Sequence, residues 1–194
     1  VWKAPAAEAS AADLAPDEGC AIAAACRESA VPLILLHGFA QSSASWNATA
    51  SELAATGRPV YALDLVGHGG SERPANPRAY ALDAQGEALL AFARLIADVE
   101  GVRPAVLGYS MGGRITLELL AEGKYSFSTI ELVAPAEDLT DLKNLFGGAE
   151  NWDTMKAEAN EKGYVEFTTK YGQHQQLSKE WFADLEKYSD GLVE

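Results

Sequence analysis

The residue best placed to do chemistry in this chain is Ser110, set in Gly108-Tyr109-Ser110-Met111-Gly112-Gly113. A serine hydroxyl is a weak nucleophile unless it is held at a sharp turn beside donors that take up developing negative charge. G-x-S-x-G supplies that turn when it joins a strand to a helix. The serine then sits in a strained backbone conformation, and side chains at Gly108 and Gly112 would collide with neighbouring chain. The flanks read that way, with Pro104 to Leu107 as a strand-sized run and Arg114 to Leu120 as a helix. The Met111 N–H, at the start of that helix, lacks an internal acceptor and is a candidate oxyanion donor. Tyr109 and Arg114 flank the turn as candidate substrate contacts, Arg114 being either a surface charge or a bidentate partner for a carboxylate.

The elements that must hold Ser110 follow one theme from Val31 onward: short apolar runs alternate with helix-length amphipathic stretches. This is the pattern of parallel strands joined by crossover helices. The first strand, Pro32-Leu33-Ile34-Leu35-Leu36, ends at His37-Gly38-Phe39 and is apolar throughout, as a doubly covered strand must be. Ser45 is the expected cap of a helix from about Trp46 to Ala55, Gly57 stops it, and Pro59 to Leu63 is the second strand. After Asp64 comes a loop, Gly67-His68-Gly69-Gly70, then a helix from about Tyr80 to Val99 with Leu82, Leu89, Phe92 and Ile96 on one face. Thr129 to Val133 is the fourth strand. The expected class is α/β, a mostly parallel sheet with helices on both faces. Residues 1–30 form a lead-in, either flexible or an edge hairpin, 31–135 the core, and 136–194 a helical cap or a compressed C-terminal part.

Three ordered motifs, His37-Gly38-Phe39, Asp64-Leu65-Val66-Gly67-His68-Gly69-Gly70-Ser71 and the Ser110 turn, resemble those of the α/β-hydrolase superfamily over about Val31 to Pro135. The resemblance implies that the Phe39 N–H is the second oxyanion donor and that the strands lie in spatial order second, first, third, fourth. It also implies a nucleophile, an acid and a base in that chain order, with His37 shaping the oxyanion loop and Asp64 bonding backbone. The implied chemistry is acyl transfer to water on a small ester, thioester or activated carbonyl compound, with Trp46 and Tyr109 as pocket walls and no cofactor or metal. Gly108 to Arg114 is also similar to 2-succinyl-6-hydroxy-2,4-cyclohexadiene-1-carboxylate synthases, lyases that hold an anionic substrate with arginines. No arginine follows Arg114, so the lyase reading stands second. A third reading is a binding module that keeps the turn without the acid and base.

Two readings compete for residues 136–194. In one, the chain is compressed but complete: Glu137 or Asp138 is the acid, Tyr164 to Tyr171 the last strand, His174 the base and Lys179 to Tyr188 a closing helix. His174 is the one histidine after Ser110. In the other, which is favoured, the segment is a helical cap of a longer chain. Trp152, Met155 and Ala159 then share one helical face, and Tyr164, Phe167 and Tyr171 another. The fourth strand would then be an open edge able to pair with a second copy as a homodimer.

Composition narrows the field. The 194 residues are 48% hydrophobic and 22% charged, ordinary for one globular domain. Fifteen Lys and Arg are scattered among 28 Asp and Glu for a net charge of -13, which argues against nucleic acid. Two cysteines make neither a disulfide scaffold nor a zinc site, and no apolar run is long enough to span a membrane. No signal sequence is visible after Val1, so a soluble, cytoplasmic protein with a small-molecule substrate is the expectation.

Overall fold

Four consecutive aliphatic residues, Leu33–Leu36, make a strand in which every side chain is buried, and the rest of the sheet is laid against it. The computed structural model describes residues 2–3, 30–136, 143, 146–168 and 174–187. Chain order begins β1 (Trp2–Lys3), β2 (Leu33–Leu36), α1 (Asn47–Ala55), β3 (Val60–Leu63), α2 (Leu82–Glu100), β4 (Ala105–Tyr109) and α3 (Met111–Ala121). It continues β5 (Ile130–Val133), α4 (Ala149–Lys162), β6 (Tyr164–Thr168), β7 (His174–Ser178) and α5 (Lys179–Lys187), with 3-10 turns at Ser43–Trp46 and Pro77–Tyr80.

The large sheet runs β1-β3-β2-β4-β5. Its last four strands are parallel, in the order that the resemblance implies, and β1 is antiparallel to β3 at the edge. Leu36 pairs with both Leu63 and Gly108, and Tyr109 pairs with Val133. The strands therefore finish level, and the segments that follow, beginning at His37, Asp64 and Ser110, emerge along one edge. Alternation sorts the core into two layers. Ile34, Leu36 and Val106 pack with Leu89, Ala93 and Ile96 of α2 and Ile115 and Leu119 of α3. Leu33, Leu35, Ala62 and Ala105 pack on the opposite face with Ala50 and Ala54 of α1.

Some boundaries differ from the expectations. Ser45 lies inside the 3-10 turn with its hydroxyl on Ser42 O, and α1 begins at Asn47 without a side-chain cap. The helix after the Gly-rich loop starts at Leu82, because Pro77 opens a 3-10 turn first. Both readings of the last third are corrected in part. Trp152, Met155 and Ala159 are the buried face of α4, as their spacing predicts. Tyr164 and Phe167 do not share a helical face: they lie in β6, which pairs antiparallel with β7, Thr168 opposite His174, in a separate two-stranded sheet. Nor does β6 cover β5, which among the described residues is the edge strand opposite β1 and exposes Glu131 and Val133. Alternation reveals a strand but not the sheet it joins.

The apolar sides of α4, the hairpin and α5 (Trp152, Val165, Leu177, Phe182, Leu185) join the same core as α2 and α3. The expected helical cap is thus a mixed helix-hairpin-helix layer. Most of the lead-in, Glu137, Asp138, Tyr171 and Tyr188 lie outside the described residues. No described helix is long and apolar enough to cross a membrane.

Candidate active site

Ser110 occupies φ 51°, ψ -113°, between the last residue of β4 and the first of α3. Its backbone is tied on both sides: the N–H donates to Val133 O at 3.0 Å, and the carbonyl accepts from Arg114 N at 3.0 Å and Ala136 N at 3.2 Å. Among the described residues two other non-glycines have positive φ, Ala40 at 56° and Ala134 at 44°, and both follow strand ends on the same edge. Strain of this kind persists where the surrounding fold over-determines it, as at functional sites.

Ser110 opens onto a cavity of about 40 Å³ that also contacts Phe39, Met111, Gln85, Trp181 and Asp184. That is room for about one water. Among the described residues, neither the Phe39 N–H nor the Met111 N–H has an acceptor. The roof is aromatic. The Phe39 ring lies 5.9 Å from Trp181 and stacks 6.4 Å from Phe167, while Trp181 meets Trp152 at 5.9 Å and Phe182 at 5.1 Å.

The loops beside Ser110 are braced by three buried or half-buried titratable groups. His37 is fully buried, its Nδ1 donating to Gly38 O at 2.8 Å and its Nε2 accepting from Leu65 N at 3.1 Å. Both nitrogens are engaged by backbone, so this imidazole holds the loop that carries Phe39 and is no proton shuttle. Asp64 accepts from Ser43 N at 2.6 Å and Gly70 N at 2.9 Å. Burial by itself would raise the Asp64 carboxyl, but these N–H groups and His37 outweigh it and keep it below the ordinary range. Burial also lowers His68, whose ring lies 5.1 Å from that of His37.

Burial lowers His37 from 6.5 to about 4, with neighbouring His68 adding to the fall and the Gly38 carbonyl opposing it. The folded value lies below the unfolded one, so this contribution to stability is complete above about pH 6.5 and is lost as pH falls toward 4. Urea unfolding at pH 7 and pH 5 is expected to show a loss of about 2 kcal/mol from His37, approaching about 3 kcal/mol near pH 4, with His68 adding in the same direction. An unfolding free energy that stays constant from pH 7 to pH 5 contradicts this account.

Other expected site residues fall elsewhere. Arg114 is neither a surface charge nor a wall of the cavity: it is 1% exposed, bonds Glu118 Oε1 at 2.8 Å and reaches Ala136 O at 3.4 Å. A guanidinium buried this deeply needs an anionic partner, and Glu118 stands one turn along on the same face. Trp46 packs against the α1 side of the sheet with Leu33 and Ala50, so it is no wall of the Ser110 cavity. Tyr109 is half-exposed and lays its ring on Gly38, so close that a Cβ there would stand 3.0 Å from it. The His174 side chain is exposed on β7 with Nδ1 3.2 Å from Thr168 Oγ1, and it does not line the cavity.

Gln85 and Asp184 escaped the sequence reading. Gln85 is buried and clamps the Val66 peptide, donating to its carbonyl at 3.1 Å and accepting from its N–H at 3.0 Å. An amide on the apolar face of α2, three residues after Leu82, was a readable sign. Asp184 Oδ2 accepts the Leu82 N–H at 2.9 Å across 102 residues of chain, a pairing no local pattern announces.

A parallel sheet with helices on both faces and a strained serine where β4 turns into α3 defines the α/β-hydrolase architecture. The chain belongs to the alpha/beta hydrolase fold family, whose model matches residues 31–182. It is 33% identical over 109 residues to the dihydrolipoyllysine-residue acetyltransferase component of the acetoin cleaving system of Pseudomonas putida, covering 56% of this chain and 28% of that one. It is 50% identical over 44 residues to a 1-acylglycerol-3-phosphate O-acyltransferase of Sus scrofa, covering 23% and 12%. An esterase from Exiguobacterium antarcticum shares the fold at TM-score 0.52 and 23% identity, over 68% of this chain and 48% of that one. The chain thus spans less than a third of these curated relatives and about half of that esterase.

Proposed function

We propose that this chain carries the nucleophile and oxyanion hole of a serine hydrolase acting on a small, uncharged ester or thioester. The observation that carries the reading is Ser110 itself, held at positive φ between β4 and α3 and facing a cavity beside Phe39 and Met111. As its hydroxyl oxygen attacks the carbonyl carbon, the hydroxyl proton passes through water in the cavity toward the departing oxygen or sulfur, the carbonyl π electrons move to the carbonyl oxygen, and the Phe39 and Met111 N–H groups hold that oxyanion. Collapse of the adduct expels the alcohol or thiol, which takes up that proton; water then adds to the acyl carbon, returns a proton to Ser110 Oγ and releases the acid. Arg114 is committed to Glu118, which favours this reading over a lyase that grips a carboxylate-rich substrate. No histidine among the described residues lines the cavity, so His174 is not given the proton transfer.

Fluorophosphonate labelling followed by peptide mass spectrometry tests this. An adduct on the Ser110 peptide is expected, and His174→Ala is expected to change its rate by no more than about twofold. Absence of an adduct favours a binding module. Labelling that collapses in His174→Ala restores that residue as the base.

A further inference from the structure

The Phe39 N–H and the Gly38 carbonyl are opposite ends of one planar trans peptide group, so whatever holds that carbonyl also aims that N–H. His37 holds it, Nδ1 donating to Gly38 O at 2.8 Å, while Gln41 Oε1 takes the Gly38 N–H at 3.0 Å. His37 is in turn held from behind, because its Nε2 accepts the Leu65 N–H at 3.1 Å. The next link is Gln85 on α2. Its buried amide accepts the Val66 N–H on Oε1 at 3.0 Å and donates from Nε2 to Val66 O at 3.1 Å. The Leu65 and Val66 N–H groups are neighbours in the chain, one taken by the loop after β2 and the other by α2. A flipped amide would set donor against donor and acceptor against acceptor, so this pair of bonds fixes both peptide planes that flank Val66. His68 Nδ1 adds a second donor to Val66 O at 3.1 Å.

Gln85 reaches this junction from a face of α2 on which Leu82, Leu89 and Ile96 are also buried, and it borders the Ser110 cavity. A leucine or methionine there would fill the core without an amide that burial obliges the fold to satisfy. What the amide adds is direction, because a hydrogen bond fixes the angle of the group it holds and apolar packing does not. We propose that Gln85 is a positioning residue for the oxyanion hole: by gripping Val66 it keeps the Leu65 N–H on His37, and through His37 it keeps the Phe39 N–H aimed at the developing oxyanion. The assignment deepens, and rests on, the reading of Ser110 as nucleophile with Phe39 as a donor. Such a donor acts mainly on the transition state, so its misalignment is expected in kcat rather than in KM.

The test is turnover of p-nitrophenyl acetate and labelling by the fluorophosphonate in the wild type, Gln85→Met and Gln85→Glu. Gln85→Met keeps the length of the side chain and removes both bonds. It is expected to lower kcat and the labelling rate at least about tenfold, with KM within about twofold. A role in stability alone would lower the melting temperature and leave kcat unchanged below it. Gln85→Glu adds a pH readout, because the introduced carboxylate repels Val66 O when ionised and restores both bonds when protonated. Burial, the Val66 carbonyl and the Asp64 and Asp184 carboxylates favour the protonated form; Arg73 opposes it, and burial keeps His37 and His68 from adding charge at mildly acid pH. Relative to wild type at the same pH, kcat of Gln85→Glu is expected to be at least about tenfold down at pH 8 and to recover to within about threefold at pH 6. A kcat within about twofold of wild type in Gln85→Met overturns the assignment and leaves the nucleophile standing. So does a Gln85→Glu activity whose ratio to wild type does not change with pH, and that result decides the matter if Gln85→Met does not fold. Failure of Ser110 to take the phosphonate in the wild type removes both.

Discussion

Replacing Ser110 with alanine is expected to lower the hydrolysis of p-nitrophenyl acetate at least about 10³-fold with the melting temperature almost unchanged. The two halves of that result have separate causes. Alanine removes the hydroxyl proposed as the nucleophile, and among the described residues no other serine, threonine or cysteine lines the cavity. It leaves the backbone problem intact, because a residue with a Cβ bears the same penalty at φ 51°. Ser110→Gly separates the two: it is expected to be equally inactive yet more stable than Ser110→Ala by about 1 kcal/mol, since glycine occupies positive φ without strain. Initial rates and thermal melts of the three proteins check this. An alanine variant that keeps a tenth of the wild-type rate removes Ser110 from the mechanism.

Gly112→Ala is expected to be strongly damaging, costing about 3 kcal/mol and lowering the melting temperature by about 10 °C. A Cβ on Gly112 would stand 2.7 Å from Leu36 Cβ, 2.8 Å from Leu36 O and 2.9 Å from His37 O. Two of those three atoms are backbone at the end of the central strand, and they cannot retreat without dragging β2 and the Phe39 loop with them. Gly108 is confined in return, since its Cβ would meet the Gly112 carbonyl and Gly113 Cα at 2.8 Å. The control is Gly101→Ala at the end of α2, where φ is 73° but nothing stands within 4 Å. It is expected to cost about 1 kcal/mol from backbone strain alone. If both variants melt together, the close approach of α3 to β2 does not govern the stability of the turn.

Much of this architecture was legible because the signals are local. The buried run Leu33–Leu36, the stop at Gly57 and the turn through Ser110 each follow from residues within a few positions of one another. The roles expected for His37 and Asp64 match the bonds that each makes to the loop backbone. Arg114 stayed ambiguous although its partner was in view, since Glu118 sits four residues on and only burial, which a sequence does not print, decides between a solvated pair and a sealed one. The segment Tyr164–Thr168 fits two periods at once over five residues, so periodicity could not choose between helix and strand.

By itself the sequence determined which segments form the parallel strands, the place where the chain turns sharply enough to strain a serine, and the loops that end beside it. These depend on apolar periodicity and glycine spacing, which act over one turn or one strand. Only the tertiary structure decided which side chains share the space in front of Ser110. Trp181 and Asp184 reach it from a helix some 70 residues downstream, Trp46 is turned to the far face of the sheet, and His174 is left exposed on the outer side of a hairpin. Those outcomes come from the joint packing of aromatic rings and one long-range hydrogen bond, Leu82 to Asp184, whose partners bear no positional relation until the core has closed around them.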